Sequence, residues 1–135
     1  AATKAEFRRI GKPQASVALI WNKRTMDSEF LIRYEATIRQ HIPEYQEVNH
    51  HRVSVDMITA FLDTNYHKAV FAYQQEFDFA GVMGRLQSSS YCPLPGTAAY
   101  SRIENELARI FAETATAGRV SFTYLTEVHT GRCTG

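Results

Sequence analysis

The sequence predicts an α/β protein with about three strands, because two kinds of pattern alternate along its 135 residues. A short unbroken apolar run and two segments of alternating polar and apolar residues are typical of strands. Between them, apolar residues recur every three or four positions, as on one face of a helix. The order is helix, strand, helices, strand, helices, strand, which is an α/β layout. We expect residues 1–135 to form a single domain, since the length is that of one domain.

The first helix and the first strand are predicted on either side of a turn. Phe7 and Ile10 are three positions apart, and Gly11 and Pro13 follow them, which is how a helix ends. The next segment, residues 17–21, has no polar residue. A run of this kind fits a strand that is covered on both faces, the pattern of a parallel sheet.

Two helices are predicted before the second strand. The first begins at Asp27 or Ser28 as its cap and ends near Pro43. Its apolar face is formed by Phe30, Leu31, Tyr34, Ile38 and Ile42. The second helix follows Ser54, its expected cap. Its expected buried residues are Met57, Ile58, Phe61 and Leu62.

The rest of the chain predicts two strands and two helices. Residues 70–77 alternate as in a strand, and residues 80–90 form a short helix that stops before Pro93. The clearest helix follows Thr97, its expected cap. Its inner stripe is formed by Tyr100, Ile103, Leu107, Ile110 and Phe111. Gly118 then sets up the turn into the last strand. The residues that alternate along one face of this strand are Val120, Phe122, Tyr124 and Thr126.

Charge and cysteine content narrow the functional classes. The net charge is +1 with acids and bases interspersed, so we expect no nucleic acid as a partner. No apolar run approaches the roughly 20 residues that a membrane span needs, so we expect no membrane partner. Two cysteines, Cys92 and Cys133, are too few for a disulfide framework. We therefore expect a reduced, cytoplasmic protein, with a Cys92–Cys133 bridge left open as the alternative.

The histidines and cysteines predict no metal site. His50 and His51 are adjacent, so on an extended segment they point opposite ways, and no acid or cysteine lies at a ligand spacing. Three further histidines are isolated and are expected at the surface: His41, His67 and His129. Cys92, which precedes a proline, is interpreted as a small buried residue and not as a nucleophile.

Three segments, in the same order, resemble the C-terminal half of small class I S-adenosylmethionine-dependent methyltransferases of the type 11 or trans-aconitate methyltransferase kind. Residues 6–22, EFRRIGKPQASVALIWN, are similar to the family's helix, turn and fifth strand. Residues 77–96, FDFAGVMGRLQSSSYCPLPG, resemble its GR-x-x-S-x-S-Y-x-P segment. Residues 106–132 are similar to its closing helix and final strand. The resemblance implies a partial Rossmann-like fold that lacks the N-terminal cofactor-binding half.

The resemblance also implies an activity and a cofactor. S-adenosylmethionine would be the cofactor, but the family's glycine-rich loop is absent here, so we expect no cofactor-binding residue in this chain. The acceptor would be a small polar or carboxylate-bearing molecule, held beyond the carboxyl ends of the strands. Residues that end or follow the first strand and would face this crevice are Trp21, Asn22 and Arg24. By resemblance, the residues that cover it are Arg85, Ser88, Ser89, Ser90 and Tyr91. The pattern identifies no catalytic residue.

Several of these residues also have a purely structural interpretation. The serines at 88–90 can satisfy backbone groups where a helix unwinds, with prolines fixing the exit. Arg85 can pair with a helix carboxylate, and Trp21 can belong to the core or to an interface.

Three functions therefore remain open. In the first, the chain is the acceptor-binding portion of a methyltransferase and is active only with the missing cofactor half. In the second, it is a non-catalytic dimeric module for small-molecule binding or interaction. The third is a minimal enzyme that binds S-adenosylmethionine across a dimer.

If residues 17–21 form an interior strand, one edge of it lacks a partner in this sequence, and an unpaired apolar edge attracts another chain. We therefore expect a homodimer, possibly domain-swapped through this strand.

Overall fold

The computed structural model describes residues 2–12, 15–45, 53–62 and 65–132. The helices within these ranges are α1 (Ala2–Ile10), α2 (Glu29–His41), α3 (Val55–Phe61), α4 (Phe79–Gln87) and α5 (Ala98–Thr114). The strands are β1 (Ser16–Arg24), β2 (His67–Phe77) and β3 (Val120–Arg132). The predicted α/β class and the predicted number of strands are confirmed.

The three strands form one open antiparallel sheet in the order β1-β3-β2. Since β3 lies in the middle and runs antiparallel to both neighbours, β1 and β2 run in the same direction. Their carboxyl ends therefore lie at the same edge of the sheet.

The prediction that residues 17–21 form a strand covered on both faces of a parallel sheet is wrong. Val17, Leu19 and Trp21 are half-buried, whereas Ala18 is exposed and Ile20 is 62% exposed. Among the described residues, β1 pairs along one edge only, with the antiparallel β3. A strand in such a position is covered on one face, so its exposure alternates even where all its residues are apolar.

Side-chain caps explain where four of the described helices begin. A side-chain oxygen accepts the N–H three residues ahead at each of these N-caps. The oxygen–nitrogen distances are 3.2 Å for Ser28 to Leu31, 3.2 Å for Ser54 to Met57, 2.8 Å for Asp78 to Gly81 and 3.2 Å for Thr97 to Tyr100. Ser28, not Asp27, is thus the cap of α2, while the caps predicted for α3 and α5 are confirmed.

A two-residue turn connects α5 to β3. Ala117 and Gly118 have positive φ angles of 50° and 70°. Thr116 and Arg119 flank them and exchange both backbone hydrogen bonds, at 2.9 and 3.0 Å. Positive φ at both central positions matches the right-handed twist of paired strands, and glycine adopts it without a steric cost. The turn predicted at Gly118 is therefore present.

The contacts divide the chain into two compact units. The first unit comprises the described parts of Ala1–Lys23, His50–Ala72 and Leu125–Gly135. The second unit comprises the described parts of Arg24–Asn49 and Tyr73–Tyr124. Each strand contributes residues to both units.

In the second unit, α2, α4, α5 and the first half of β3 enclose the core. Its buried members are Phe30, Leu31, Tyr34, Ile38, Ile42, Val82, Met83, Leu86, Tyr100, Ile103, Leu107, Ile110, Val120, Phe122 and Tyr124. The ring of Phe122 lies 5.1 Å from that of Tyr34, 5.3 Å from that of Phe77 and 5.5 Å from that of Phe30, between centroids. Edge-to-face packing of this kind adds to the stabilisation from apolar burial.

In the first unit, α1 and α3 meet through their aromatic residues. The rings of Phe7 and Phe61 pack edge to face with centroids 5.2 Å apart. Ile58 and Leu62 are buried as predicted. The prediction that Met57 is buried is wrong, since Met57 is 57% exposed. Met57 lies about 100° around the helix from the buried Ile58, on a side of α3 that faces solvent.

Two adjacent residues of α2 test how far the stability depends on this core. Leu31 is fully buried, whereas Ile32 is 51% exposed. We expect Leu31→Ala to lower the free energy of unfolding by about 2–5 kcal/mol, because it leaves a cavity in the core. Ile32→Ala should change it by less than about 1 kcal/mol. Urea denaturation followed by circular dichroism measures both, and equal losses would contradict this assignment of the core face.

Candidate functional site

Arginine and tyrosine side chains of the second unit come together near the carboxyl end of β1. We call this group the arginine–tyrosine cluster. It comprises Arg24, Tyr34, Glu35, Tyr45, Arg85, Tyr91 and Tyr124. Arg24 is the last residue of β1, while its partners come from α2, from α4 and from β3. The cluster thus lies at the strand end near which we predicted the acceptor crevice.

A buried ion pair joins Arg24 to Glu35. Nη2 of Arg24 donates to Oε2 of Glu35, and only 14% and 8% of the two side chains are exposed. The Tyr45 hydroxyl donates to the same carboxylate oxygen at 2.8 Å. Nε of Arg39 donates to the other oxygen at 2.9 Å. Both oxygens of this carboxylate are therefore occupied by protein donors.

These contacts determine the protonation states of the pair. Burial would raise the pKa of Glu35, but hydrogen bonds from Tyr45 and Arg39 and the charge of Arg24 outweigh burial, so the pKa lies below its ordinary value. Burial and donation to Glu35 raise the pKa of Tyr45 to about 12. At neutral pH Glu35 is thus ionised and Tyr45 keeps the proton that it donates.

Arg24 keeps one unused donor within the cluster. Its guanidinium carbon lies 4.8 Å from the centroid of the Tyr34 ring, a cation–π geometry. Its Nε is buried and has no hydrogen-bond partner among the residues that the structure describes. A buried donor without an acceptor costs about 1–3 kcal/mol. The charge of Arg24 is therefore paired with Glu35, while its Nε stays uncompensated within the described part of the chain.

Arg85 reaches the cluster from α4. Its Nε donates to the Tyr124 hydroxyl at 2.7 Å, and its guanidinium carbon lies 5.4 Å from the centroid of that ring. The charges of Arg24 and Arg85 both act on the buried Tyr34, as do the hydroxyls of Tyr91 and Tyr124. Burial nevertheless dominates there and raises the pKa of Tyr34. Arg24 and Arg85 therefore both contribute to the electrostatic surroundings of Tyr34.

The predicted serine segment follows α4 and is mainly engaged with the backbone. The Ser88 hydroxyl donates to the carbonyl of Arg85 at 2.7 Å, which is the structural role considered for it. Ser89 is half-buried and Ser90 is exposed. Tyr91 does join the cluster, since its ring lies 4.9 Å from that of Tyr45.

The cysteine next to this segment is not an activated thiol. Cys92 is a half-buried free thiol, and burial raises its pKa. A raised pKa disfavours the reactive thiolate, which agrees with its interpretation as a packing residue. Cys133 and the His50–His51 pair lie outside the described residues. Within the described ranges, no group of three or more histidine, cysteine or acidic side chains is placed to hold a metal ion.

Trp21 and Asn22, the other predicted site residues, belong to the first unit. The Trp21 ring packs against that of His129 with centroids 5.3 Å apart, and Tyr66 lies 5.4 Å from His129. Asn22 accepts a hydrogen bond from Thr126 at 2.6 Å. His129 is only 2% exposed, so its predicted surface position is wrong. His129 comes after buried and half-buried residues of β3, and the rings of Trp21 and Tyr66 pack against it.

Two lysines neutralise the acidic residue beside this histidine. Glu127 accepts from Lys23 at 2.8 Å and from Lys68 at 3.0 Å, and Nε2 of His129 lies 3.5 Å from it. The hydrogen bond from Lys23, aided by the one from Lys68, lowers the pKa of Glu127 to about 2. The predicted surface position of His67 agrees with its exposure, while His41 is half-buried and pairs with Glu106 at 2.8 Å.

The sequence interpretation missed four members of the arginine–tyrosine cluster as functional candidates: Tyr34, Glu35, Tyr45 and Tyr124. One of them carries a signal. Glu35 lies four positions after Leu31 and three before Ile38, so a carboxylate interrupts the buried stripe of α2. Such an acid requires a buried cation. No comparable signal exists for Tyr45, which follows the end of its helix.

Two glutamates each accept hydrogen bonds from two arginines, and replacing them one at a time tests how much the Arg24–Glu35 ion pair stabilises the fold. Glu35 is buried, whereas Glu113, which binds Arg33 and Arg109, is about half exposed. We expect Glu35→Gln to lower the free energy of unfolding by about 3–5 kcal/mol at pH 7, because it leaves the buried charge of Arg24 unpaired. Glu113→Gln should cost less than about 1 kcal/mol.

The pH dependence of this difference follows from the lowered pKa of Glu35. The ionised carboxylate stabilises the fold above the ordinary glutamate pKa of 4.5, and this contribution is lost as the pH falls through the lower folded value. Denaturation of wild type and Glu35→Gln between pH 7 and pH 3 should therefore give converging curves. A pH-independent difference would contradict an ionised Glu35.

Comparison of the chain with models of known protein families and with curated proteins finds no match to either. The methyltransferase resemblance therefore stays an interpretation of the three sequence segments. The function has to be argued from the chemistry of the arginine–tyrosine cluster.

Proposed function

We propose that this chain is the acceptor-binding portion of an S-adenosylmethionine-dependent methyltransferase. Its acceptor would be a small polar or carboxylate-bearing molecule, and transfer would need a cofactor-binding half in addition to these residues. By the same interpretation the protein works in the reducing cytoplasm, and its Cys92 stays a thiol.

The arginine–tyrosine cluster is the observation that carries this proposal. Arg24 ends the first strand, whereas Arg85 and Tyr91 come from the segment that resembles the family's GR-x-x-S-x-S-Y-x-P motif. Arg24 lies against the Tyr34 ring, Tyr91 against the Tyr45 ring, and Arg85 donates to the Tyr124 hydroxyl. Residues selected for two separate sequence reasons thus contribute to one cluster at the end of β1.

The chemistry that the cluster can perform is binding and orientation. Guanidinium groups donate charge-assisted hydrogen bonds to a carboxylate, and tyrosine hydroxyls both donate and accept. Methyl transfer from a sulfonium is a direct displacement, so a protein accelerates it mainly by holding the reactants in line and excluding water. In this role Arg24 and Arg85 would fix the acceptor, while the aromatic rings keep water away.

The residues described here do not fit the cofactor itself. S-adenosylmethionine would supply the methyl group, and related folds hold such ligands with a glycine-rich loop after a strand. In the described part of the chain, β1 is followed by Thr25 and Met26 and β2 by Asp78. The cofactor site is therefore assigned to the other half.

The reading frame that encodes this chain provides the decisive test. We expect it to be longer and to carry an upstream E-x-G-x-G-x-G loop. The protein expressed from it should transfer a labelled methyl group to small organic acids, whereas the 135-residue chain alone should not bind S-adenosylhomocysteine in calorimetric titration. Arg85→Met should reduce kcat/KM by about tenfold or more, because the acceptor loses a charged donor. A frame without the loop, together with no transfer, would refute the proposal.

One observation favours a second function, that of a dimeric binding or interaction module. Within the described residues β1 has one unpaired edge, and its centre holds neither proline nor charge. Natural proteins usually protect such an edge. Two copies of β1 related by a two-fold axis at Ile20 would pair antiparallel and place the two Ile20 side chains directly opposite each other. Lys23 would then face Val17, so no like charges would meet.

Substitution at Ile20 tests this dimer. Ile20→Lys would place two lysines directly opposite each other, so we expect sedimentation equilibrium to show a shift from dimer to monomer at micromolar concentration. Val70→Lys is the matched control, because Val70 is exposed on the other edge strand, β2. A folded wild-type monomer, or equal effects of both substitutions, would exclude pairing through β1.

A further inference from the structure

The unused charge in the arginine–tyrosine cluster belongs to Arg85. The charge of Arg24 is matched by Glu35. Among the residues that the structure describes, no carboxylate forms an ion pair with Arg85. Its hydrogen-bond partner is instead the neutral hydroxyl of Tyr124 at 2.7 Å. A part-buried cation next to neutral groups retains its attraction for an anion, because little else compensates its charge.

The remaining charges limit how much negative charge the cluster can accept. Arg24 and Arg85 bring two positive charges, and the ionised Glu35 brings one negative charge. Arg39 also binds Glu35, but about half of its side chain is exposed, so water screens its charge. One positive charge is therefore left for a ligand. Because Glu35 already pairs with Arg24, a second carboxylate would find no uncompensated buried cation among the described residues of the cluster.

We infer that the arginine–tyrosine cluster binds a small acid through a single carboxylate on Arg85, and that it discriminates against acids with two or more carboxylates. This inference rests on the proposed function only in taking the ligand to be the acceptor. The Tyr124 hydroxyl lies 2.7 Å from Nε of Arg85, so it would lie beside the bound carboxylate. The uncharged part of the ligand would contact the aromatic rings of the cluster.

Three probes of nearly equal shape separate charge from size: succinamide, succinamate and succinate carry none, one and two negative charges. Calorimetric titration of the 135-residue chain at low salt should give the tightest binding for succinamate. We expect succinamide to bind weaker by about tenfold or more, because it lacks the charge that Arg85 attracts. Succinate should also bind weaker than succinamate. Tightest binding of succinate, or equal binding of all three, would overturn the inference.

Two arginine variants test whether Arg85 binds the carboxylate of the ligand. Arg85→Met should abolish the preference for succinamate over succinamide, whereas Arg102→Met, which removes an exposed arginine of α5, should leave it unchanged. Thermal unfolding checks that the variant folds. If Arg85→Met does not fold, Tyr124→Phe removes only the hydroxyl that holds Arg85 and should reduce the preference severalfold. An unchanged preference in a folded variant would exclude Arg85 as the carboxylate ligand.

The outcomes distinguish this inference from the proposed function, because the titration needs no methyl donor. Succinamate preference without any methyl transfer by the longer protein would support the carboxylate site and refute the methyltransferase. Methyl transfer to di- or tricarboxylates, with no succinamate preference, would do the reverse.

Discussion

The ion pair between Arg24 and Glu35 connects the end of β1 to the buried stripe of α2. Each charge needs the other, because removing one partner of a buried ion pair leaves an unpaired charge and destabilises a fold by about 3–5 kcal/mol. The hydrogen bonds from Tyr45 and Arg39 complete the carboxylate's coordination. The position of the strand end against the helix is therefore constrained by electrostatics as well as by apolar packing.

This constraint also determines the character of the candidate site. Because the charge of Arg24 is paired with that of Glu35, the cluster does not hold two free cations. Arg24 is instead oriented against the Tyr34 ring, and within the described residues Arg85 has no carboxylate partner. The ligand that we infer for this site is therefore one of low charge that can also contact aromatic surface. That preference is more specific than the general expectation of a polar or carboxylate-bearing acceptor.

The helices were largely predictable, because the signals that define them are local. Ser54 and Thr97 begin helices through hydrogen bonds that span three residues, and the stripe of α5 is visible in its spacing. The candidate site was predictable only in part. Arg24, Arg85 and Tyr91 were expected at it, but Tyr45 was not, because it meets Glu35 across ten positions and no periodicity includes it.

The sequence by itself determined the class of the fold, the number of strands, most helix boundaries and the apolar faces of α2 and α5. These depend on interactions between residues that are close along the chain. Only the tertiary structure decided that β1 is an edge strand exposed at Ile20, that His129 is buried and that Glu35 neutralises Arg24. Each of these depends on which distant segment covers a residue, and an apolar run or a lone charge looks the same in the sequence whether or not such a partner is present.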